Sequence, residues 1–339
     1  MTERNTIIGA IKGRIEDLET KGWSSSKLET QFIQIVIEAI DSFEGEVTDD
    51  QIEEIKTFFS PRLCPDQYVG TVGELRSVYF DKTKRTPVFK GQSSIVYEDN
   101  IPKDKDANIM ILILESPHKD EFDKDGKPLG PAMGATGRNI VKHIGTIFEN
   151  IGNFQNYHLI LMNPIPFQCS LGVESSGFIR DAVFAAAWKN GKIGKCFFKG
   201  RLDALLGALE KKTVVIVNAC TQGGDKKDYL CCKVCKSVME ILSNYCDELP
   251  DGTKRPVDYY HIHHPSSWKE SNSGSSKKPK SNTLEIDKKA TTNKPLNFPE
   301  ERNCDKYQEC DDCTVCDGCT KCKKFKTRKA CYGKITYQL

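Results

Sequence analysis

From Ile109 to Leu114 the chain runs through six consecutive apolar residues with no polar alternation. That pattern predicts a strand buried on both faces, as in a parallel sheet covered by helices. Further strand candidates are His158–Met162, Val214–Val217 and Asp258–Ile262, the first two almost wholly apolar. Helical periodicity predicts helices over 138–150, 178–189, 200–211 and 226–245. Strand and helix alternate through 108–268, which predicts an α/β fold with a parallel sheet flanked by helices. Each strand delivers polar residues to its carboxyl end: Glu115, Asn163, Asn218 and His263-His264. Strand carboxyl ends are where α/β folds bind their ligands, so these residues form a candidate site.

The flanks read differently. Ile7, Ile8, Ile11, Ile15 and Leu18 fall at helical spacing. Ser26 to Glu29 and Thr48 to Gln51 each have capping-box spacing before an apolar stripe. We expect a helical accessory domain over 1–100, with short extended pieces at 68–70, 77–80 and 94–97. Lys82, Lys84, Arg85 and Lys90 make a basic patch, read as solvated surface. Residues 269–302 are rich in Ser, Lys, Asn and Pro and poor in apolar residues, the composition of a flexible linker. The catalytic unit is expected over 101–268, and a Cys-rich module over 303–339.

Composition narrows the function classes. The net charge is +2, so no overall basic character points to nucleic acid. Locally, Lys and Arg outnumber Asp and Glu from Trp268 to Leu339. No apolar run approaches the ~20 residues that span a bilayer. The first residues are charged throughout and carry no signal-peptide core. A cytoplasmic protein with no membrane partner is expected. The 15 cysteines are then read as metal ligands rather than disulfide partners. Cys304, Cys310, Cys313, Cys316, Cys319, Cys322 and Cys331 crowd the C-terminal segment, five of them at C-x2-C spacing. Thiolates so spaced can converge on one tetrahedral ion, so zinc is the first reading and an iron–sulphur cluster the alternative. Neighbouring lysines favour contact with DNA. Cys220, Cys231, Cys232, Cys235 and Cys246 form a looser group, read equally as buried thiols. His261, His263 and His264 also cluster, but successive strand residues point to opposite faces, which weakens a metal reading there.

Four motifs stand in order: Leu114-Glu115-Ser116-Pro117-His118, Pro131-Ala132-Met133-Gly134-Ala135-Thr136-Gly137-Arg138, Asn163 after its strand, and His264-Pro265-Ser266-Ser267. In order and spacing this set resembles the uracil-DNA glycosylase superfamily over residues 108–268. There the first strand ends in a short motif with Pro in fourth place. The second motif is similar to the iron–sulphur branch's Gly-rich stretch, and the last to its HPSP. Three positions depart from the family pattern. Leu114 replaces a Gly, Ser116 stands where several branches keep an Asp or Asn, and Ala132 stands where a Phe stacks on the base.

The resemblance implies a three-layer fold and hydrolysis of an N-glycosidic bond in DNA. Cleavage builds positive charge on the sugar and negative charge on the departing base, and the site must stabilise both. His264 is expected to donate a hydrogen bond to the base anion. Glu115 is expected to position water or favour the sugar cation, with Asp120 and Glu121 close behind it. Ser116, Pro117, His118, Ala132, Met133, Asn163 and Gln168 are expected to line the base pocket. Gly134, Thr136, Gly137 and Arg138 form a candidate phosphate nest at a helix start, with Ser266 and Ser267 nearby. The missing aromatic at Ala132 suggests room for a bulky modified pyrimidine, and such a substrate would suit defence against phage or foreign DNA. Two other classes stay open: a non-catalytic reader of modified bases, favoured by Ser116, and a hydrolase of free nucleosides or nucleotides.

Overall fold

The computed structural model describes residues 2–41, 48–77, 79–81, 86–88, 107–149, 154–171, 177–209, 213–221, 230–245, 257–262, 264–268 and 334–336. Its centre is strand β4 (Ile109–Ile113), buried at every position. The sheet also contains β1 (Gln67–Thr71), β5 (His158–Met162), β6 (Val214–Asn218), β7 (Val257–His261) and β8 (Lys334–Thr336), in the order β1-β5-β4-β6-β7-β8. The inner four strands are parallel: Ile109 lies opposite His158 on one side and Val214 on the other. Both edges are antiparallel, β1 against β5 and β8 against β7. The parallel sheet expected from the apolar runs is therefore the core of a mixed one. A small separate hairpin pairs β2 (Tyr79–Asp81) with β3 (Thr86–Val88).

Alternation along the strands divides the interior in two. Ile109, Ile111, Ile113, Ile160, Met162, Val214, Ile216 and Tyr259 face one cluster. Met110, Leu112, Leu114, Leu159, Leu161, Val215, Val217 and Tyr260 face the other. A strand with helices on both sides has no polar face, which is why β4 and β6 read as unbroken apolar runs. The second cluster is closed by helix α4 (Ala135–Glu149) through Ile140, Val141, Ile144 and Phe148. On the first lie α5 (Gly177–Lys189), α6 (Lys195–Leu209) and α7 (Leu230–Tyr245).

The N-terminal helices α1 (Thr2–Thr20), α2 (Lys27–Asp41) and α3 (Asp49–Phe58) join that same first cluster through Ile7, Ile11, Phe32, Val36 and Ile55. The ring of Phe32 stacks on Phe167 at 4.7 Å. The expected boundary near residue 100 does not separate two cores. Strand β1, which falls before it, belongs to the main sheet. The apolar stripes of three short helices cannot all be covered by each other, and the sheet's helical layer covers them. Both capping boxes form: Ser26 N–H donates to Glu29 at 2.8 Å, and Thr48 N–H to Gln51 at 2.9 Å. The basic patch and the extended piece at 94–97 lie outside the described residues.

One buried ion pair ties these parts together. Arg201 of α6 donates through Nη1 to both carboxylate oxygens of Asp66 at 2.5 and 2.6 Å. Its Nη2 donates to the carbonyls of Asn163 and Pro164, holding the end of β5. Asp66 is 3% exposed, so removing Arg201 would strand a buried carboxylate. Arg201→Ala should lower unfolding free energy by about 3–5 kcal/mol in a denaturant titration. A loss below about 1 kcal/mol would show that the pair is dispensable.

Candidate functional site

The strand order creates a crevice before any side chain is considered. The connection leaving β4 runs to β5 on one side, and the connection leaving β6 runs to β7 on the other. Their carboxyl ends therefore flank a gap, the place where open α/β sheets bind ligands. Glu115 sits there, two residues past β4 and nearly fully buried. The Thr221 hydroxyl, from the segment after β6, donates to its Oε2. Arg180 of α5 brings Nε to 3.5 Å from its Oε1. The guanidinium is itself steadied by Asp181, whose Oδ1 accepts from Nε at 2.8 Å and Nη2 at 2.6 Å. Burial pushes the Glu115 carboxyl up from its ordinary range, while Arg180, Thr221 and Ser116 hold it back. Ser116, half-buried, also meets the buried Cys169 thiol.

His264 follows β7 and opens the short turn Pro265–Ser267. Its Nδ1 accepts from Ser266 N–H at 3.3 Å and lies 2.9 Å from the Ser266 hydroxyl. A backbone N–H can only donate, so Nδ1 is the acceptor and the ring proton sits on Nε2. The ring is half-buried, and this loss of solvent, with the charge of Arg180, pulls the imidazole down to about 4. At neutral pH the ring is thus an uncharged N–H donor. Asn139 of α4 donates to Pro265 O at 2.8 Å and fixes the turn against the helix. Ser267 is the last residue of that turn, and His263 lies outside the described residues.

The loop between β4 and α4 is shaped by Glu121. Its Oε2 accepts from His118 N–H and its Oε1 from Ala132 N–H, each at 2.9 Å. This carboxyl is turned into the loop, where it acts as a brace. Burial pushes it up to about 8, against the two N–H groups that favour its charge. Ala132 is fully buried and holds φ at 59°, in the left-handed region. A short side chain adopts that conformation at modest cost and a bulky one does not. The methyl and Met133 pack into the second core cluster with Leu114 and Trp268. Position 132 thus belongs to the packed core, and its left-handed backbone disfavours a bulky aromatic there. Pro117 is buried and His118 exposed, with His118 Nδ1 accepting from Asp120 N–H at 3.5 Å.

At the start of α4, Thr136 and Arg138 are half-exposed and Gly137 is buried. The Asp120 carboxylate lies so close to Gly134 that a Cβ there would collide with it. A negative charge thus already borders the expected phosphate nest, with Arg138 within its field. Two other expected site residues belong to the scaffold. Gln168 accepts from Ser60 N–H at 2.8 Å and donates to Ser170 O at 2.7 Å, which commits both ends of its buried amide. Asn218 is likewise committed to Cys231, Tyr259 and Cys220. Asn163 is buried at the end of β5, where its carbonyl accepts from Arg201 Nη2.

The sequence reading missed Arg180, Asp181 and Thr221. Thr221 could have been found, since it follows an apolar strand as Glu115 does. Nothing marks Arg180, an ordinary basic residue in a predicted helix. Among the described residues no three His, Cys, Asp or Glu side chains gather as a metal site. The cysteines from Cys304 to Cys331 lie outside the described residues, as does Cys246, while Cys220 and Cys231 are buried free thiols. No helix among the described residues is long and apolar enough to cross a membrane. Comparison of the chain with protein-family models, curated proteins and solved structures finds no match in any of the three.

The brace generates a prediction about stability. The folded Glu121 carboxyl titrates near 8 against an ordinary 4.5, so it is protonated more readily when folded. Its contribution is present in full below pH 4.5 and drains as pH rises toward 8. Glu121→Gln should flatten that part of the stability–pH curve. It should also cost about 1–3 kcal/mol at pH 5, because one N–H loses its acceptor. Parallel curves for the two proteins from pH 4 to 9 would contradict this.

Proposed function

We propose that this protein is a DNA glycosylase that hydrolyses the N-glycosidic bond of an aberrant or modified base and leaves an abasic site. The observation that carries the reading is the pair at two strand ends. Glu115, a buried carboxylate, lies 3.5 Å from Arg180, and His264, a neutral N–H donor, feels the charge of the same guanidinium. Bond cleavage needs negative charge near the sugar and a donor near the leaving base, and these two groups supply them. The four ordered motifs that resemble the uracil-DNA glycosylase superfamily support the same reading.

In this mechanism the target base is extruded from the stack into the crevice. His264 Nε2–H hydrogen-bonds the base as negative charge develops on it. Being uncharged, the ring need not lose a proton and acts through its dipole. The Glu115 carboxylate stabilises the sugar cation and orients the attacking water, whose proton it can accept. Asn163, whose amide offers both a donor and an acceptor, reads the edge of the base. Arg138 and Ser266 meet flanking phosphates at the mouth, with Thr136 and Gly137 behind them. Bulk on the base is accommodated on the side of the exposed His118, since Ala132 packs into the core. A second reading follows from Ser116, which takes the place of the carboxylate or amide kept by several branches: a reader that binds a modified base and does not cut.

The Cys-rich segment 303–339 is proposed to hold zinc, with an iron–sulphur cluster as the alternative. Seven thiols at short spacing in a polar segment fit a structural ion, which would staple a stretch too polar to fold on its own. The ion's part is to order this segment, whose lysines then add contacts to DNA.

Two experiments test these proposals. Glu115→Gln and His264→Ala should each lower base release by about 10²–10³-fold, scored as abasic sites in DNA carrying varied bases, with melting unchanged. Full activity in both variants would sink the site assignment, and binding without cleavage by the parent protein would favour the reader. Separately, the purified chain should contain at least one equivalent of zinc, and a brown protein with iron and sulphide would install the alternative. A metal content below one equivalent would end the metal proposal.

A further inference from the structure

Glu115 is one of the few carboxyls buried in the described part of the molecule, and it faces groups from four directions. Arg180 and Asp181 approach from α5, and Thr221 from beyond β6. Ser116 and the more distant Glu121 come from its own loop, and the Cys169 and Cys220 thiols from behind. Of these only Arg180 is a cation. The charge of the same guanidinium also acts on His264, whose Nδ1 meets Ser266. Two groups that need opposite charge states thus share one neighbour.

We propose that Arg180 is the positioning residue of this site: clamped by Asp181, its guanidinium keeps Glu115 a carboxylate and His264 an uncharged donor. The chemistry requires both conditions together. A protonated Glu115 cannot favour a sugar cation. A protonated His264 would add a second positive charge within the field of Arg180. One fixed cation meets both demands, because it attracts the anionic form of the first and repels the cationic form of the second. Arg180 is suited to this by geometry. Its Nε and Nη2 are both anchored on Asp181, so the plane of the fork cannot swing away from Glu115. Thr221 completes the arrangement by fixing the other carboxylate oxygen.

The inference rests on the glycosylase reading for its purpose but not for its test. Glu115 can be followed by carbon NMR of glutamate-labelled protein without DNA, its signal assigned by its loss in Glu115→Gln. His264 can be followed by nitrogen NMR of the ring. In Arg180→Gln both groups should titrate about one pH unit or more higher than in the parent, a tenfold change in each proton equilibrium. Arg180→Lys should restore much of the parent behaviour, because the charge is kept. Arg180→Met, which keeps a long apolar stem, replaces the Gln variant if that one does not fold. Unchanged titration of Glu115 in a folded Arg180→Gln or Arg180→Met protein would overturn the proposal. If the parent releases a base, the acid limb of its pH profile should move upward in the same variant. A parent that releases no base from any DNA, while Glu115 still titrates with Arg180, would defeat the glycosylase reading and leave the coupling standing.

Discussion

The burial of β4 on both faces constrains everything around it. A strand in the middle of a parallel sheet must present apolar side chains up and down, and Ile109 to Leu114 do so without exception. That single requirement calls for helices on both sides and divides the interior into two clusters. It also means that polar residues can return only where the strand ends. Glu115 is the first residue at which they do. Its burial is a consequence of its place, immediately beyond a strand with no exposed position.

Such a carboxylate is costly unless its surroundings are arranged for it. Here the arrangement draws on three separate stretches of chain: the end of β4, the start of α5 and the segment after β6. Arg180 supplies charge and Thr221 a hydrogen bond. A second carboxyl only six residues on, Glu121, meets a different need. Its oxygens are saturated by backbone N–H groups, and it holds Ala132 in a conformation the residue would not choose unaided. Two buried acids close together in sequence thus do unlike work. One is paired with side chains at a crevice, and the other is spent on the shape of the loop.

The N-terminal helices show how a domain boundary can mislead. Their capping boxes and apolar stripes are plain in the sequence, and they form as read. Whether such helices make a domain depends on what covers the stripes. Phe32 stacks on Phe167, and Arg201 holds Asp66 and the end of β5 in one grip. The Phe32–Phe167 and Arg201–Asp66 contacts each span more than a hundred residues of chain, and no local pattern announces them.

By itself, the sequence determined the four inner strands, the helices that alternate with them and the polar residues at the strand ends, but not the edge strand β8, which falls in the segment expected to be a separate module. Hydrophobic period and capping are local properties, and they are written in consecutive residues. It also placed Glu115 and His264 at one edge, since parallel strands share a direction. Only the tertiary structure decided which polar residues serve the crevice. Gln168 and Asn218 read as site residues and are committed to the scaffold, while Arg180, unmarked in its helix, stands beside Glu115. The physical reason is that a polar side chain takes its role from its hydrogen-bond partners. Those partners come from elements far apart in the chain, and only folding brings them within reach.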